Sequence, residues 1–199
     1  MRITPGQMLS AIGLIVVLLA VLAIVYRSWR NGISPMPSSA AVRKAAIAEL
    51  RRMMVIRDKA TAGAEYRASP RSGAIVEAGS GWGTLALDIA RALPERRVTG
   101  IENSGIPWLF SRLAAGMSGC RNLELLRGDL YAYPYETAAW VVCYLYPGAM
   151  KRLDPLFREK LASGSRVVSI CFALPGWRAD KVVACRDLYR TKIYVYKID

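Results

Sequence analysis

Ile75-Val76-Glu77-Ala78-Gly79-Ser80-Gly81-Trp82-Gly83-Thr84 is a short apolar run closed by an acid and followed by three glycines at alternate positions. An amphipathic pattern begins directly after it, at Leu85. A strand that turns sharply into a helix needs this composition, because glycine takes φ > 0 at little steric cost and lets a ligand approach the backbone. A helix starting near Gly83 offers unpaired N–H groups and the positive end of its dipole to an anionic group. The stretch therefore reads as a small-molecule cradle at the carboxyl end of the first strand of an α/β sheet.

Downstream of the cradle the chain alternates between strand-like and helix-like segments, the pattern of an α/β fold. Strand 1 is expected over 74–78, strand 2 over 97–102, strand 3 over 123–126, strand 4 over 140–145 and strand 5 over 166–174. The helix after the cradle turns Leu85, Ile89 and Leu93 inward and stops at Pro94. The next begins near Pro107, a residue favoured in a helix's first turn, and carries Trp108, Leu109, Phe110 and Leu113. A helical region over 148–162 is expected to break at Asp154-Pro155. Residues 181–189 and 192–198 then read as two strands joined by a short turn, which completes a seven-stranded sheet ending in a β-hairpin.

Two ligand classes use a glycine-rich first turn. The dinucleotide pattern G-x-G-x-x-G/A fails at its last position, because Gly79 and Gly81 lead to Thr84. The alternative, acid-x-G-x-G-x-G, is satisfied by Glu77, Gly79, Gly81 and Gly83. Either class wants an acid at the end of strand 2 for ribose hydroxyls, and Glu102 stands there, 19 residues after Gly83. After strand 3 comes Arg127-Gly128-Asp129-Leu130. It places a third carboxylate on the same sheet edge, where it can accept from an exocyclic amino group while the next backbone N–H meets a ring nitrogen.

Ahead of the α/β region, no charged residue occurs from Ile3 to Tyr26, and Met8 to Tyr26 is almost wholly aliphatic. About 20 such residues in a helix cross a hydrocarbon core of about 30 Å. A secretory signal has an apolar region of only about 7 to 15 residues. This run is longer and leads into Tyr26-Arg27-Ser28-Trp29-Arg30, an interfacial collar, so a retained anchor spanning residues 8–26 is expected. Arg2 alone precedes the run, whereas Arg27, Arg30, Arg43, Lys44, Arg51 and Arg52 follow it. By the positive-inside rule the C-terminal domain faces the cytoplasm. Residues 31–39 read as a linker and 66–73 as a polar connection. Between them 40–60 has a helical period with Val42, Ala46, Leu50, Met53 and Met54 on one side. That helix either lies on a membrane surface or packs on the sheet.

The net charge is +13, and residues 1–70 hold 10 Lys/Arg against 3 Asp/Glu. An anionic membrane surface accounts for that juxtamembrane excess, and no nucleic-acid motif or partner is expected. The four cysteines, Cys120, Cys143, Cys171 and Cys185, form no C-x-x-C pair, and Cys143 and Cys171 sit in apolar runs. They read as reduced core residues. With no histidine in the chain, His-based triads are excluded and a zinc site is not expected.

These residues carry a family resemblance over about 74–199. The chain resembles a class I S-adenosylmethionine-dependent methyltransferase, with the Glu77-to-Gly83 loop like its first motif, Glu102 like its ribose acid and Asp129 like its adenine-side acid. Within that superfamily it is similar to the membrane-anchored protein-lysine methyltransferases of the adenine nucleotide translocase and the ATP synthase c subunit, in a bacterial-like branch. The shared pieces are the N-terminal membrane segment, the glycine loop, Pro107-Trp108-Leu109, the Arg166-Val167-Val168-Ser169 strand running into Phe172-Ala173-Leu174-Pro175-Gly176-Trp177, and the closing Tyr194-Val195-Tyr196. Those enzymes commonly carry Asp and Gly-Asp-Gly-Arg where this chain has Glu77 and Gly81-Trp82-Gly83-Thr84.

The resemblance implies a Rossmann-like seven-stranded class I methyltransferase sheet ending in an antiparallel hairpin and preceded by one transmembrane helix. Its parts are an anchor at 1–30, a linker and amphipathic helix at 31–73, and a methyltransferase domain at 74–199. It implies S-adenosylmethionine as cofactor, held by Glu77, Ala78, Gly79, Ser80, Gly81, Trp82, Gly83, Glu102, Asn103, Asp129 and Leu130. Methyl transfer from a sulfonium needs alignment rather than a protein nucleophile. The acceptor is expected over Val142-Cys143-Tyr144-Leu145-Tyr146-Pro147-Gly148, where related enzymes have an N/D-P-P-Y motif and this chain has Tyr144, Tyr146 and Pro147. The two tyrosines alternate in direction if the strand continues, so at most one faces the methyl group. Trp177 either walls the substrate channel or packs. Three readings of function stay open: a protein-lysine methyltransferase acting on a membrane-associated protein, a lipid or quinone methyltransferase, and a non-catalytic nucleotide-binding module.

Overall fold

The computed structural model describes residues 4–31, 38–60 and 73–199, and the chain divides into two compact units, 1–35 and 36–199. The linker expected over 31–39 and the connection expected over 66–73 lie largely outside the described residues. So do Arg2 and the side chains of Arg27, Trp29 and Arg30.

Among its described residues the first unit holds one helix, α1 (Pro5–Asn31). Its segment Pro5–Tyr26 has a mean hydropathy of 3.1 and is long and apolar enough to cross a membrane.

The second unit begins with α2 (Ala40–Ala60) and continues as β1 (Ile75–Ala78), α3 (Thr84–Ala92), β2 (Val98–Glu102), α4 (Gly105–Ser118) and β3 (Leu123–Arg127). Then follow β4 (Trp140–Cys143), α5 (Pro147–Lys160), β5 (Arg166–Ile170), β6 (Lys181–Ala184) and β7 (Lys192–Lys197). All seven strands join one sheet in the order β3-β2-β1-β4-β5-β7-β6. The first five are parallel, and β7 runs antiparallel to both β5 and β6. Chain direction across the sheet reverses between β1 and β4, which opens a crevice at their carboxyl ends.

Helices cover both faces, so every residue of β1, β2 and β4 is buried. One core lies between the sheet and α2 and α3. It takes in Val42, Ala46, Leu50, Met53 and Met54, the five residues that share a side of the amphipathic pattern. Of the two placements open for that helix, packing on the sheet is the one observed. Arg43 fixes it by donating to Asp88 at 2.6 Å, and Lys181 pairs with Glu49 at 2.6 Å. The other core lies against α5, around Met150, Leu153 and Phe157.

Four boundaries differ from the sequence reading. Strand 4 ends at Cys143, not 145, because Tyr146 already begins the next helix as its N-cap. Strand 5 ends at Ile170, not 174, because Cys171 turns to φ 74, a left-handed conformation that no strand continues. Cys171 is therefore half-buried beyond the strand rather than a core residue, whereas Cys143 is fully buried. The strand expected over 181–189 stops at Ala184. Finally, α5 runs through Asp154-Pro155 without a break. Pro155 sits on the exposed face while Leu153 and Phe157 are buried on the inner one. The proline thus removes one hydrogen bond where water can replace it, and core packing keeps the helix whole.

Candidate cofactor and acceptor site

The crevice edge is built first by the β1–α3 turn. Gly79, Gly81 and Gly83 have φ of 76, 53 and 74°, so the left-handed conformation falls on every glycine and on neither residue between them. A side chain at Gly83 would meet Ser111 Cβ at 2.6 Å, and one at Gly79 would meet Leu145 Cδ2 at 2.5 Å. Among the described residues, nothing lies within 4 Å of where a side chain at Gly81 would begin. Ser80 N–H donates to the Ile101 carbonyl at 2.8 Å and Gly83 N–H to the Ser80 carbonyl at 2.8 Å, which fixes the loop in its turned form.

Three carboxylates flank this loop from adjacent strands. Glu77 is 3% exposed and accepts from the N–H of Ala86, in the first turn of α3. Because the N-cap of α3, Gly83, has no side chain to cap with, Glu77 takes that part from the strand below. Among the described residues its Oε2 has no hydrogen-bond partner, and neither has Ser80 Oγ. Burial pushes the Glu77 carboxyl well above the usual carboxylate range, the Ala86 N–H pulls it partly back, and the charge of Glu102 pushes it up again.

Glu102 ends β2. Its Oε2 accepts from Gly81 N–H at 2.8 Å and its Oε1 from Ser104 N–H at 2.7 Å. The acid is thereby locked onto the glycine loop while each oxygen keeps a further acceptor site. Asn103 follows it and accepts from the Ser104 hydroxyl at 3.1 Å. Asp129, two residues beyond β3, is exposed, and its Oδ1 accepts from Tyr131 N–H at 2.9 Å. Leu130 is buried beside Gly79, with its carbonyl accepting from the Tyr135 hydroxyl at 2.7 Å. Trp82 is half-buried and meets Phe110 of α4 edge-on, 5.7 Å between ring centres. Ala78 closes β1 in the core.

On the far side of the crevice the β4–α5 turn carries the aromatic groups. Tyr144 packs against the core under α2 and α3, and Tyr146 against the core under α5, so the two tyrosines take opposite faces although the strand has ended. Burial raises the Tyr144 hydroxyl pKa, with Cys171 and Asp187 nearby adding to it. The Tyr146 ring lies over Gly148, whose missing side chain would meet it at 2.6 Å, and Pro147 opens α5 at the surface. The Tyr146 hydroxyl lies close to that of Tyr131, and the Arg152 guanidinium lies 3.7 Å over the Tyr131 ring. Sequence reasoning missed Tyr131 and Arg152. Tyr131 was within reach of it, two residues past Asp129, whereas nothing in the local pattern marks Arg152.

Trp177 is not at this edge. It donates to Asp154 Oδ1 at 2.5 Å, carries Arg158 over its ring and meets Tyr196 edge-on, all part of the core under α5. Of its two readings, packing is the one observed.

The geometry fits a cationic nucleoside ligand. Two buried acceptor atoms without partners, an open glycine and three acids along neighbouring strand ends suit an ammonium group, ribose hydroxyls and a base edge in turn. S-adenosylmethionine has these parts, and it brings a methyl group already activated by the positive charge on sulfur.

Comparison with known proteins gives the same answer. The model of the ANTKMT methyltransferase domain matches residues 77–181. The fold is similar to an RNA methyltransferase from Salinibacter ruber solved with S-adenosyl-L-homocysteine. That likeness has 26% identity and a TM-score of 0.62, covering 82% of this chain and 94% of that one. It is also similar to Aeropyrum pernix fibrillarin solved with S-adenosyl-L-methionine, at 16% identity and a TM-score of 0.51, covering 62% and 65%. No curated protein matches. With residues 77–181, more than half of its length, matched by that family model, the chain belongs to the ANTKMT methyltransferase domain family and is an S-adenosylmethionine-dependent class I methyltransferase.

Proposed function

We propose that the protein is a membrane-anchored protein-lysine N-methyltransferase whose substrate is a membrane-associated protein. The observation that carries this is the family itself, matched across residues 77–181, in a chain that begins with a helix able to span a bilayer. Such an anchor raises the effective concentration of any acceptor in the same membrane.

In this reading Glu77, Glu102 and Asp129 hold the cofactor with the Ala78–Gly83 turn, Asn103 and Leu130, while Trp82 and Phe110 close the loop's outer side. The acceptor amine enters over Tyr144, Tyr146 and Pro147. It must lose a proton before it can attack, and the apolar wall of Leu130 and Leu145 favours the neutral amine by keeping water away. Tyr146, beside Tyr131, orients the amine by a hydrogen bond, and in-line alignment supplies most of the rate. The helix α1 is the membrane anchor, with the second unit in the cytoplasm.

A second acceptor class, RNA, is favoured by the likeness to the Salinibacter ruber RNA methyltransferase. Incubating membranes, RNA and the full chain with methyl-labelled cofactor separates the readings. Label recovered as methyllysine after protein hydrolysis supports the proposal. Label confined to nucleic acid or to the organic lipid extract refutes it.

A further inference from the structure

Among the described residues, the two most exposed large hydrophobic side chains stand in the β6–β7 turn. Leu188 is 90% exposed and Tyr189 85%, and Arg186, Arg190 and Lys192 stand in solvent around them. The turn is nevertheless tightly built. Asp187 accepts the Thr191 N–H at 2.7 Å on Oδ1 and the Thr191 hydroxyl at 2.5 Å on Oδ2, and Cys185 N–H donates to the Thr191 carbonyl at 2.8 Å. The single carboxylate is thus engaged inside the turn, while three cations and two large apolar side chains face out.

Strand register decides where this tip points. Ile193 lies opposite Ile170 at the carboxyl end of β5, and Ala184 opposite Lys192, so the turn projects from the sheet edge that carries the glycine loop and the three acids. Asp187 comes near Tyr144 and Cys171 on that edge. Phe172, 37% exposed, follows β5 there. The start of α2 lies toward the same edge. Arg43 pairs with Asp88 in the middle of α3 and Arg51 with the Ala92 carbonyl at its end, so α2 and α3 run the same way. Eight residues of sequence separate α1 from α2.

We propose that the β6–β7 turn is a bilayer-docking tip: Leu188 and Tyr189 enter the headgroup region of an anionic membrane while Arg186 and Arg190 meet its phosphates. An aliphatic and an aromatic residue ringed by cations suit a lipid interface. Two such side chains make far too small a patch for a stable protein interface, which buries about 800 Å² per partner. Docking turns the carboxyl edge toward the membrane, so that the acceptor is drawn from residues at the bilayer surface. This rests on the anchored reading above and adds to it which face of the domain meets the lipid.

The test uses the full chain with Cys120→Ser and Cys171→Ser, reconstituted in phosphatidylcholine–phosphatidylserine vesicles with brominated acyl chains. A bimane label is placed in turn at Tyr189→Cys, at Ile15→Cys in α1, and at Glu95→Cys in the exposed loop between α3 and β2. Melting temperature checks that each variant is folded. Fluorescence at 189 is expected to be roughly halved by bromolipid, with none lost at 95, and the effect to vanish in Arg186→Glu/Arg190→Glu. An unquenched label at 189 overturns the docking proposal. The label at 15 then shows whether the anchor fails too, because a quenched 15 beside an unquenched 189 leaves the anchor standing and removes only the tip.

Discussion

The two turns that face each other across the crevice are built from opposite materials. The β1–α3 turn has three left-handed glycines and is bonded through the backbone to Glu102, Ile101 and itself. The β4–α5 turn has no carboxylate and presents Tyr144, Leu145, Tyr146 and Pro147, with Tyr131 and Arg152 packed beside them. The first holds its shape through its own hydrogen bonds, as a binding site for a fixed ligand must. The second is shaped by aromatic packing, which on the proposed lysine reading suits a site that accepts an amine and releases a product. Cofactor binding and acceptor choice should therefore fail separately under mutation.

The largest expected effect is on the first turn's shape. Gly83→Val must adopt φ near 74° and press on Ser111 Cβ, so unfolding should cost about 2–4 kcal/mol less than in the wild type, measured by denaturant melting. Gly81→Ala meets no neighbour, so it should lose only about 1 kcal/mol of stability while weakening cofactor binding by about tenfold or more. If both variants lost stability alike, the division of labour within the glycine loop would be wrong.

On the other turn, Tyr146→Phe should leave cofactor affinity within about twofold and lower kcat by roughly tenfold, the worth of one positioning hydrogen bond. A loss of cofactor binding instead would place Tyr146 on the wrong side of the comparison.

The smallest effect is a pH dependence. Burial raises Glu77 above the ordinary unfolded value of about 4.3, so the folded chain keeps a proton there that the unfolded chain has released. Stability from this group is complete below pH about 4 and declines as pH rises toward the folded pKa. Glu77→Gln should remove that decline in melts of the ligand-free protein across this window. A cationic ligand beside Glu77 favours its ionised form, so cofactor affinity should rise with pH over the same range.

Much of this arrangement was legible in the sequence because it depends on residue types with few alternatives. Alternating glycines after an acid can hardly be anything but a turned loop, and Glu102 and Asp129 follow apolar runs that had to be strands. The fold's hairpin ending was visible for the same reason, two β-rich runs with no room for a helix between them. What escaped depends on tertiary balance. Pro155 breaks a helix in isolation, but it faces solvent here while Leu153 and Phe157 hold the helix to the core. Cys171 ends β5 through its φ, which no cysteine announces. Arg152 reaches Tyr131 only because α5 packs over that loop, a contact between residues 21 apart in sequence.

Calorimetric titration of the full chain with S-adenosylhomocysteine tests the central claim, that the strand-end acids and the glycine turn form one cofactor site. Glu102 joins the two by accepting from Gly81 and Ser104. Saturable binding to the wild type is predicted, with Glu102→Ala weaker by about 10- to 100-fold yet still folded. Equal affinity in the two proteins, or no binding to the wild type, would contradict it.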